Sequence, residues 1–253
     1  MKRKPLWIGA FLLCSFVLLS LCFSSLPCLS VAPAQPDILP CLPAQAKVQE
    51  VLPSEDLTLD VPYLSQEDIL PTGCEAVSAA MVLQYWGMDI TAMELAEMLP
   101  CASFYEKNGK LYGPDPNEYF VGSPFDSKSY GCYASVIEQV VSLAAPSLSS
   151  RVLYDYSLEE LYEEYVCQGI PVLLWCTINM MESYKGTTWL LPDGSSFTWR
   201  KNEHCLVLAG KKNGEYICMD PYDSNGQVSI PSGLLEQRYE EMGSQAVVIV
   251  PES

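Results

Sequence analysis

A cysteine stands at the start of an apolar run, a position that favours thiol chemistry. Cys74 follows Gly73, and nine of the eleven residues from Ala76 to Trp86 are apolar. Thr72 and Glu75 have the spacing of a capping box, so we predict a buried helix whose first turn carries the thiol. Unpaired backbone N–H groups and the positive end of the helix dipole are expected to stabilise the thiolate there. The alternative interpretation is that Cys74 is one more small buried residue.

A thiol nucleophile needs a base, and the sequence contains a single histidine, His204. His204 opens an apolar run to Ala209 that we predict to be a β-strand. A lone histidine at a strand end is also compatible with a surface position or with a satisfied core position. Its role as a base therefore depends on which residues lie beside it.

Asp220, which comes directly before a proline, is a candidate for the carboxylate that orients the imidazole. With a two-residue turn at residues 213–214, Asp220 lies on the face of the hairpin away from His204. With a three-residue loop at residues 212–214, Leu206 faces Asp220, and His204 becomes a diagonal neighbour roughly 7–8 Å away at the backbone. The alternative is that Asp220 only caps the strand or forms an Asp-Pro turn.

The elements that must position these residues indicate an α+β fold with an antiparallel sheet, because predicted helices come first and strands later. Three further capping boxes, at Thr91 with Glu94, Ser135 with Glu138 and Ser157 with Glu160, predict helices. The predicted strands span residues 57–63, 172–178, 204–209, 216–220, 228–230 and 246–250, with a last helix near residues 233–242.

The N-terminal residues have the pattern of an export segment. Three basic residues at positions 2–4 precede a nearly wholly apolar stretch from Leu6 to Phe23, and Ala32-Pro33-Ala34 offers a cleavage site. The apolar stretch is about long enough to span a membrane, so an uncleaved anchor is the alternative. In either case we expect an extracellular or cell-surface protein. The predicted regions are a signal peptide or membrane anchor over residues 1–34, a proline-rich linker over 35–56 and one folded domain over 57–253.

Composition and charge exclude several classes of partner. Hydrophobic residues make up 49% of the chain and charged residues 18%, which fits a packed globular domain. The net charge is −17, and the only charges in the first 34 residues are basic, so the remainder is more acidic still. Such a surface repels nucleic acid and anionic membranes, so we expect no nucleic acid partner and membrane contact only through the N-terminal segment. We expect a monomer.

The sequence gives no support for a metal or cofactor site. It contains no C-x-x-C motif and one histidine, so the usual ligand spacings are absent. Cysteines 176, 205 and 218 lie in apolar runs and are expected to be buried thiols. Cys101 and Cys132 flank a long loop and are expected to pair if that loop folds back.

Several runs together resemble the secreted branch of the bacteriocin-leader (double-glycine leader) cysteine peptidases, which belong to the papain-like superfamily. They are Val61 to Gln66, Pro71 to Val77, Glu203 to Gly210, and Met219-Asp220-Pro221, with weaker matches at Pro116 to Gly122 and Gly131 to Ala134. The resemblance covers roughly residues 61–223.

This resemblance implies a papain-like cysteine peptidase fold, in which a helical part with the nucleophile helix packs on an antiparallel sheet. It makes Cys74 the nucleophile, His204 the base, Asp220 the orienting residue and Gln66 the oxyanion donor. The gap between Gln66 and Cys74 looks about two residues longer than in the leader peptidases. The function implied is an exported cysteine peptidase that hydrolyses peptide bonds in a peptide or protein substrate, without a cofactor.

Two other functions fit the same fold. One is an acyl transferase that uses the same triad with an amine as acceptor. The other is a catalytically silent domain that binds peptide or cell-wall material, although such a domain is expected to lack the cysteine or the histidine.

The segment from Cys101 to Gly131 is rich in glycine and proline, and this composition predicts an irregular loop. In a papain-like arrangement it could wall one side of the cleft and set substrate choice. The alternative is a surface excursion that covers the back of the helices. Aromatic residues interrupt the segment, among them Phe104, Tyr105, Tyr112, Tyr119, Phe120 and Phe125.

Overall fold

The computed structural model describes residues 56–222 and 226–252. The expectations for an export segment over residues 1–34 and for a linker over residues 35–56 fall almost entirely outside the described residues. Within the described ranges, none of the helices combines the length and the apolar character needed to cross a membrane.

The helices of the described chain match most of the predicted positions. Two of them begin with complete capping boxes, at Thr91 with Glu94 and at Ser157 with Glu160. A 3₁₀ turn, Val166–Gln168, follows the fourth helix and ends at Gly169 in the left-handed conformation. The helices are α1 (Cys74–Tyr85), α2 (Ala92–Met98), α3 (Ala134–Ala144), α4 (Leu158–Glu164) and α5 (Ser232–Glu241).

The strands include those predicted and others that the sequence did not indicate. They are β1 (Leu57–Thr58), β2 (Cys101–Ala102), β3 (Tyr105–Lys107), β4 (Lys110–Tyr112), β5 (Phe120–Val121), β6 (Leu148–Tyr154), β7 (Val172–Thr177), β8 (Tyr184–Leu190), β9 (Ser196–Lys201), β10 (Glu203–Lys212), β11 (Glu215–Met219), β12 (Gln227–Pro231) and β13 (Gln245–Pro251).

The main sheet is antiparallel, as the order of the elements predicted. Its strands follow the order β12-β11-β10-β7-β13-β6, and β1 pairs with the far end of β10. The predicted first strand over residues 57–63 is much shorter than expected. A second sheet, in the order β3-β4-β8-β9, contains the β8–β9 hairpin, and β2 pairs in parallel with β5.

Alternate residues of the central strands face two separate cores, as the period of two along a strand requires. On β10, Cys205 and Val207 pack with the apolar side chains of α1, α2 and α3. Leu206 and Leu208 pack on the other face with residues of α4 and α5. The helices that carry and support Cys74 therefore lie on one side of the sheet, and α4 and α5 lie on the other.

The segment from Cys101 to Gly131 is not the irregular loop that its glycines and prolines predicted. It contains the short strands β2 to β5, and Phe120 and Val121 are fully buried. Phe104 and Tyr130 pack edge-to-face against Trp189 of β8, with ring centroids 5.0 and 5.9 Å away. These contacts to the β8–β9 hairpin explain why the segment is ordered.

Candidate active site

The start of α1 is built differently from the predicted capping box. Gly73 is the N-cap residue, and no side chain caps the helix. The Thr72 hydroxyl contacts the carbonyls of Ser123 and Asp126 at 3.3 and 3.1 Å, so it is not available to the helix. Long-range contacts thus replace the local cap, and they attach the turn at residues 123–126 beside the first turn of α1.

The Cys74 thiol lies at the contact between α1 and β10. Its sulfur donates to Glu75 Oε2 at 3.3 Å, and the backbone N–H of Cys205 hydrogen-bonds to it. One turn further along α1, the Ser78 hydroxyl donates to the Cys205 carbonyl at 3.1 Å. Because Cys205 is the residue after His204, these bonds bring the thiol to the start of the strand that carries the histidine.

His204 and Asp220 form a buried pair. His204 Nε2 lies 2.7 Å from Asp220 Oδ1, and the histidine is 1% exposed. The backbone N–H of Tyr222 donates to the same carboxylate oxygen at 2.9 Å, and its ring lies edge-on to the imidazole with centroids 6.3 Å apart. The carboxylate therefore fixes the imidazole through Nε2.

The pairing register of β10 and β11, which places His204 near Asp220, depends on a feature that the sequence did not indicate. The predicted three-residue loop would pair Lys211 with Glu215, but Lys212 pairs with Glu215, so the turn has two residues. A bulge between Leu208 and Gly210 then shifts the ladder, and Val207 pairs with Met219. After this shift, His204 and Asp220 have the same relative positions on the hairpin that the three-residue loop was expected to give them.

Gln66 lies in the turn that leads into α1. Its backbone N–H donates to the carbonyl of Pro221 at 2.9 Å, and its carbonyl accepts from Ile69 and Leu70. Its side chain is 4% exposed, and the amide nitrogen donates to the Pro71 carbonyl at 3.4 Å. Gln66 Oε1 is buried without a hydrogen-bond partner among the described residues. The Gln66–Pro221 hydrogen bond thus connects the turn that precedes α1 with the loop that holds Asp220.

Two carboxyl groups flank the thiol, that of the buried Glu75 and that of the partly exposed Glu203. Glu75 is fully buried, and its Oε1 accepts from the backbone N–H of Cys132 at 2.7 Å. Glu203 Oε1 is buried without a partner in the described part of the chain. Burial raises the pKa of both carboxyl groups, and Glu75 raises the pKa of Glu203 further.

The predicted stabilisation of the Cys74 thiolate is wrong for this arrangement. Burial raises the pKa of the Cys74 thiol well above its usual value, and the neighbouring Glu75 and Glu203 raise it further. The backbone N–H of Cys205 acts in the opposite direction but is the smaller influence. These influences favour the protonated thiol of Cys74 over the thiolate.

Three side chains around the thiol have the donor atoms that a cation would need. Among the described residues, Cys74, Glu75 and Glu203 each offer a donor atom within 4.8 Å of the others. The sequence gave no indication of this grouping because Glu203 is distant from the other two along the chain.

The other cysteines do not form disulfides within the described residues. Cys101 and Cys132 are both free, so the pairing expected from their positions is wrong. Strand β5 lies between them, because Phe120 pairs with Cys101 on one side and Val121 bonds to Gly131 on the other. Cysteines 176, 205 and 218 are buried, as predicted.

A helix with a cysteine in its first turn, packed on an antiparallel sheet that carries a buried histidine and aspartate, defines the papain-like fold of the C39 peptidases. The chain belongs to the Peptidase_C39 like family, whose model matches residues 58–247. The family and the fold support a peptidase-type function.

Relatives of this chain include proteins of two bacilli. The uncharacterized protein YvpB of Bacillus subtilis (strain 168) is 32% identical over 194 residues, which are 76% of this chain and 75% of that protein. A crystal structure from Bacillus anthracis, assigned to the C39-like peptidases, is 32% identical with a TM-score of 0.70, covering 79% of this chain and 100% of that chain.

A more distant similarity is to the peptidase domain of Streptococcus ComA, a bifunctional ABC transporter. It is 15% identical with a TM-score of 0.46, and the match covers 78% of this chain and 99% of that chain.

The structure adds residues to the site that the sequence did not indicate as functional. Glu75 had the spacing of a capping residue, yet it contacts the thiol and Cys132. Glu203 and Tyr222 adjoin the predicted residues in the sequence, and this adjacency is the only signal that could have drawn attention to them. Cys132 is 57 residues away from Glu75 along the chain, so no local pattern predicts this contact.

Proposed function

We propose that this protein is a cysteine peptidase that hydrolyses peptide bonds, with Cys74 as nucleophile and His204 as base. The observation that carries this proposal is the buried His204–Asp220 pair at 2.7 Å, on a strand whose next residue, Cys205, hydrogen-bonds to the Cys74 sulfur. A thiol nucleophile, a base and a group that orients the base are the parts that acyl transfer through a covalent intermediate requires.

The reaction begins when His204 Nδ1 accepts the thiol proton and the sulfur attacks the substrate carbonyl. Asp220, bound to Nε2, keeps the imidazole oriented and stabilises the imidazolium. The backbone N–H of Cys74 and the side-chain amide of Gln66 act as donors to the developing oxyanion, an effect worth roughly 3–4 kcal/mol per donor. The imidazolium then protonates the leaving amine, and water hydrolyses the acyl-enzyme.

Burial, Glu75 and Glu203 raise the pKa of Cys74 in the free chain, so the proposed mechanism needs His204 to take the thiol proton. The Gln66 amide nitrogen donates one N–H to the Pro71 carbonyl in the free chain, and its second N–H is the donor that we propose for the oxyanion.

The experiment that tests this function combines a peptide library with an electrophilic thiol probe on the purified protein. We expect peptide cleavage, detected by mass spectrometry, and labelling of Cys74, both of which are lost in Cys74→Ala. Cys101→Ala is the matched control because Cys101 is an exposed thiol. Cleavage by Cys74→Ala would contradict the proposal. If an added amine captures the acyl group in place of water, the protein is a transferase.

We also propose that the chain acts outside the cytoplasm as a monomer on peptide or protein substrates, without nucleic acid. The basic and apolar N-terminal pattern and the net charge of −17 support this proposal. Cell fractionation with N-terminal sequencing tests export and cleavage of the segment. Light scattering on the purified protein tests the oligomeric state, and a stable dimer would contradict that part.

A further inference from the structure

Three possible metal ligands converge on one small volume beside the first turn of α1. A Cβ atom added to Gly131 would lie 2.6 Å from Glu75 Oε1 and 2.7 Å from Glu203 Oε2, so the missing side chain of this glycine leaves room between the two carboxyl groups. One oxygen from each carboxyl and the Cys74 sulfur lie within 4.8 Å of one another. A small cation placed there would be within reach of all three side chains.

Two neighbouring polar atoms have no hydrogen-bond partner among the described residues. They are Oε1 of Glu203 and Oγ1 of Thr177, and both atoms are buried. Thr177 is 0% exposed and lies directly opposite Glu203 in the pairing of β7 with β10, so the two side chains project from the same face of the sheet. Because buried polar atoms normally have a partner, we expect a ligand or an ordered molecule beside them.

The charge of the two glutamates is also uncompensated. Neither forms an ion pair in the part of the chain that the structure describes. Carboxylates that are shielded from water are normally paired with a cation or bound to a metal. The sulfur among the three donors disfavours Mg²⁺ and Ca²⁺, which take oxygen ligands, and suits Zn²⁺, which binds cysteine and carboxylate side chains.

We propose that Cys74, Glu75 and Glu203 form a binding site for Zn²⁺, with one ligand atom from each side chain and a water in the fourth position. Bonds of about 2.3 Å to sulfur and about 2.0–2.2 Å to oxygen place the ligand atoms of a tetrahedral zinc site roughly 3.3–3.7 Å apart. The sulfur already lies 3.3 Å from Glu75 Oε2. The limit of 4.8 Å on the other separations requires movements of no more than about 1 Å. The bound water hydrogen-bonds to Glu203 Oε1 and to the Thr177 hydroxyl.

Zinc at this site holds the proposed nucleophile. On binding, the S–H bond of Cys74 breaks, a Zn–S bond forms and the proton passes to the buffer. The sulfur is then a metal ligand and cannot attack a carbonyl. The metal site goes beyond the proposed function, and only its effect on turnover, which is reversible inhibition by zinc, rests on that function.

Isothermal titration of the purified, chelator-treated protein with zinc chloride in oxygen-free buffer tests the site. We expect the wild type to bind an equimolar amount of Zn²⁺. Glu203→Gln should bind it at least roughly tenfold more weakly, since even the loss of a group that supports a ligand costs about 10–100-fold in affinity. Glu163→Gln, which changes an exposed glutamate on α4, and Cys101→Ala, which removes an exposed thiol, should bind zinc as the wild type does. Failure of the wild type to bind, or unchanged affinity in folded Glu203→Gln, would overturn the proposal.

Cobalt in place of zinc gives a second readout, which does not require Glu203→Gln to fold. Co²⁺ bound to a cysteine sulfur shows a sulfur-to-metal charge-transfer band, and intense d–d bands report a tetrahedral geometry. We expect both signals in the wild type and loss of the charge-transfer band in Cys74→Ala. A wild-type spectrum without that band, or a band that persists in Cys74→Ala, would refute the assigned ligands. If the metal binds as expected while the metal-free protein cleaves no peptide, the proposed function fails and the metal site stands.

Discussion

The backbone N–H of Gln66 donates to the carbonyl of Pro221 at 2.9 Å. This bond joins the turn before α1 to the residue that follows Asp220. The proposed oxyanion donor and the carboxylate that orients the base are thus held by one backbone contact. Displacement of either loop is expected to disturb both.

Substitution Gln66→Ala should lower kcat by about 10²–10³, the usual cost of losing one oxyanion donor. The rate of Cys74 alkylation by a small electrophile should change little, because the thiol does not depend on Gln66. Steady-state kinetics and Cys74 alkylation rates, both measured for Gln66→Ala and the wild type, check these two expectations. Unchanged turnover in Gln66→Ala would remove the residue from the oxyanion site.

The variants Cys74→Ala and His204→Ala should each lower peptidase activity by more than roughly 10³-fold. Asp220→Ala should lower activity less, by roughly 100-fold, because Asp220 orients the base and transfers no proton. Circular dichroism and melting temperatures must show that each variant is folded. Substantial turnover by folded His204→Ala would mean that another group removes the thiol proton.

In the free protein, Cys74 should react with iodoacetamide only at alkaline pH, because burial, Glu75 and Glu203 raise its pKa. Glu75→Gln should move the reactivity towards lower pH, since it removes the charge nearest the sulfur. Alkylation rates measured against pH check both statements. Rapid reaction of wild-type Cys74 at mildly acidic pH would show that a thiolate–imidazolium pair is already formed.

The contribution of Glu203 to stability should fall as the pH rises above about 4.5, the ordinary pKa of a glutamate. The folded chain raises the pKa of Glu203 by burial and by the neighbouring Glu75, so the unfolded chain releases this proton first. The stabilisation is complete below pH 4.5 and is lost as the pH rises through the folded pKa. Glu203→Gln should show a flatter decline of melting temperature with pH, whereas Glu163→Gln should follow the wild type.

Phe125 should affect substrate choice. It is 46% exposed in the turn at residues 123–126, whose carbonyls bind the Thr72 hydroxyl two residues before Cys74. Phe125→Ala should raise KM or change the cleavage site while Cys74 alkylation is retained. Tyr119, 40% exposed beside the start of α3, gives the matched control Tyr119→Ala. Identical cleavage profiles for the two variants would favour a purely covering role for the segment.

Local sequence patterns correctly predicted the helix starts whose hydrogen-bond partners are close together in the sequence. The capping boxes at Thr91 and at Ser157 form as expected because each pairs with a glutamate three residues later. The same spacing at Thr72 misleads, because its hydroxyl and Glu75 are taken by residues about 50 positions away. At Ser135 the hydroxyl bonds to the Asn117 carbonyl, so α3 forms without that cap.

The catalytic candidates could be named from residue type and order, whereas their environment could not. The order Cys74, His204, Asp220 in the sequence indicates a thiol, a base and an orienting group. Burial, Glu75 and Glu203 raise the pKa of the thiol, and burial and the approach of Glu203 arise only when β10 packs on α1. The β8–β9 hairpin was missed, although Asp193 and Gly194 mark its turn, because partly exposed strands lack a continuous apolar run.

Strand β1 pairs with β10 at Gly210 and Lys211, at the end opposite to His204. Gly210 permits this approach, since a Cβ there would lie 2.1 Å from the Leu57 carbonyl oxygen. At about 3.3 Å per residue, seven residues of strand separate His204 from Lys211 by roughly 23 Å. A reporter, bead or surface attached through residue 56 would therefore be remote from the cleft, and immobilised protein should retain full access to large substrates.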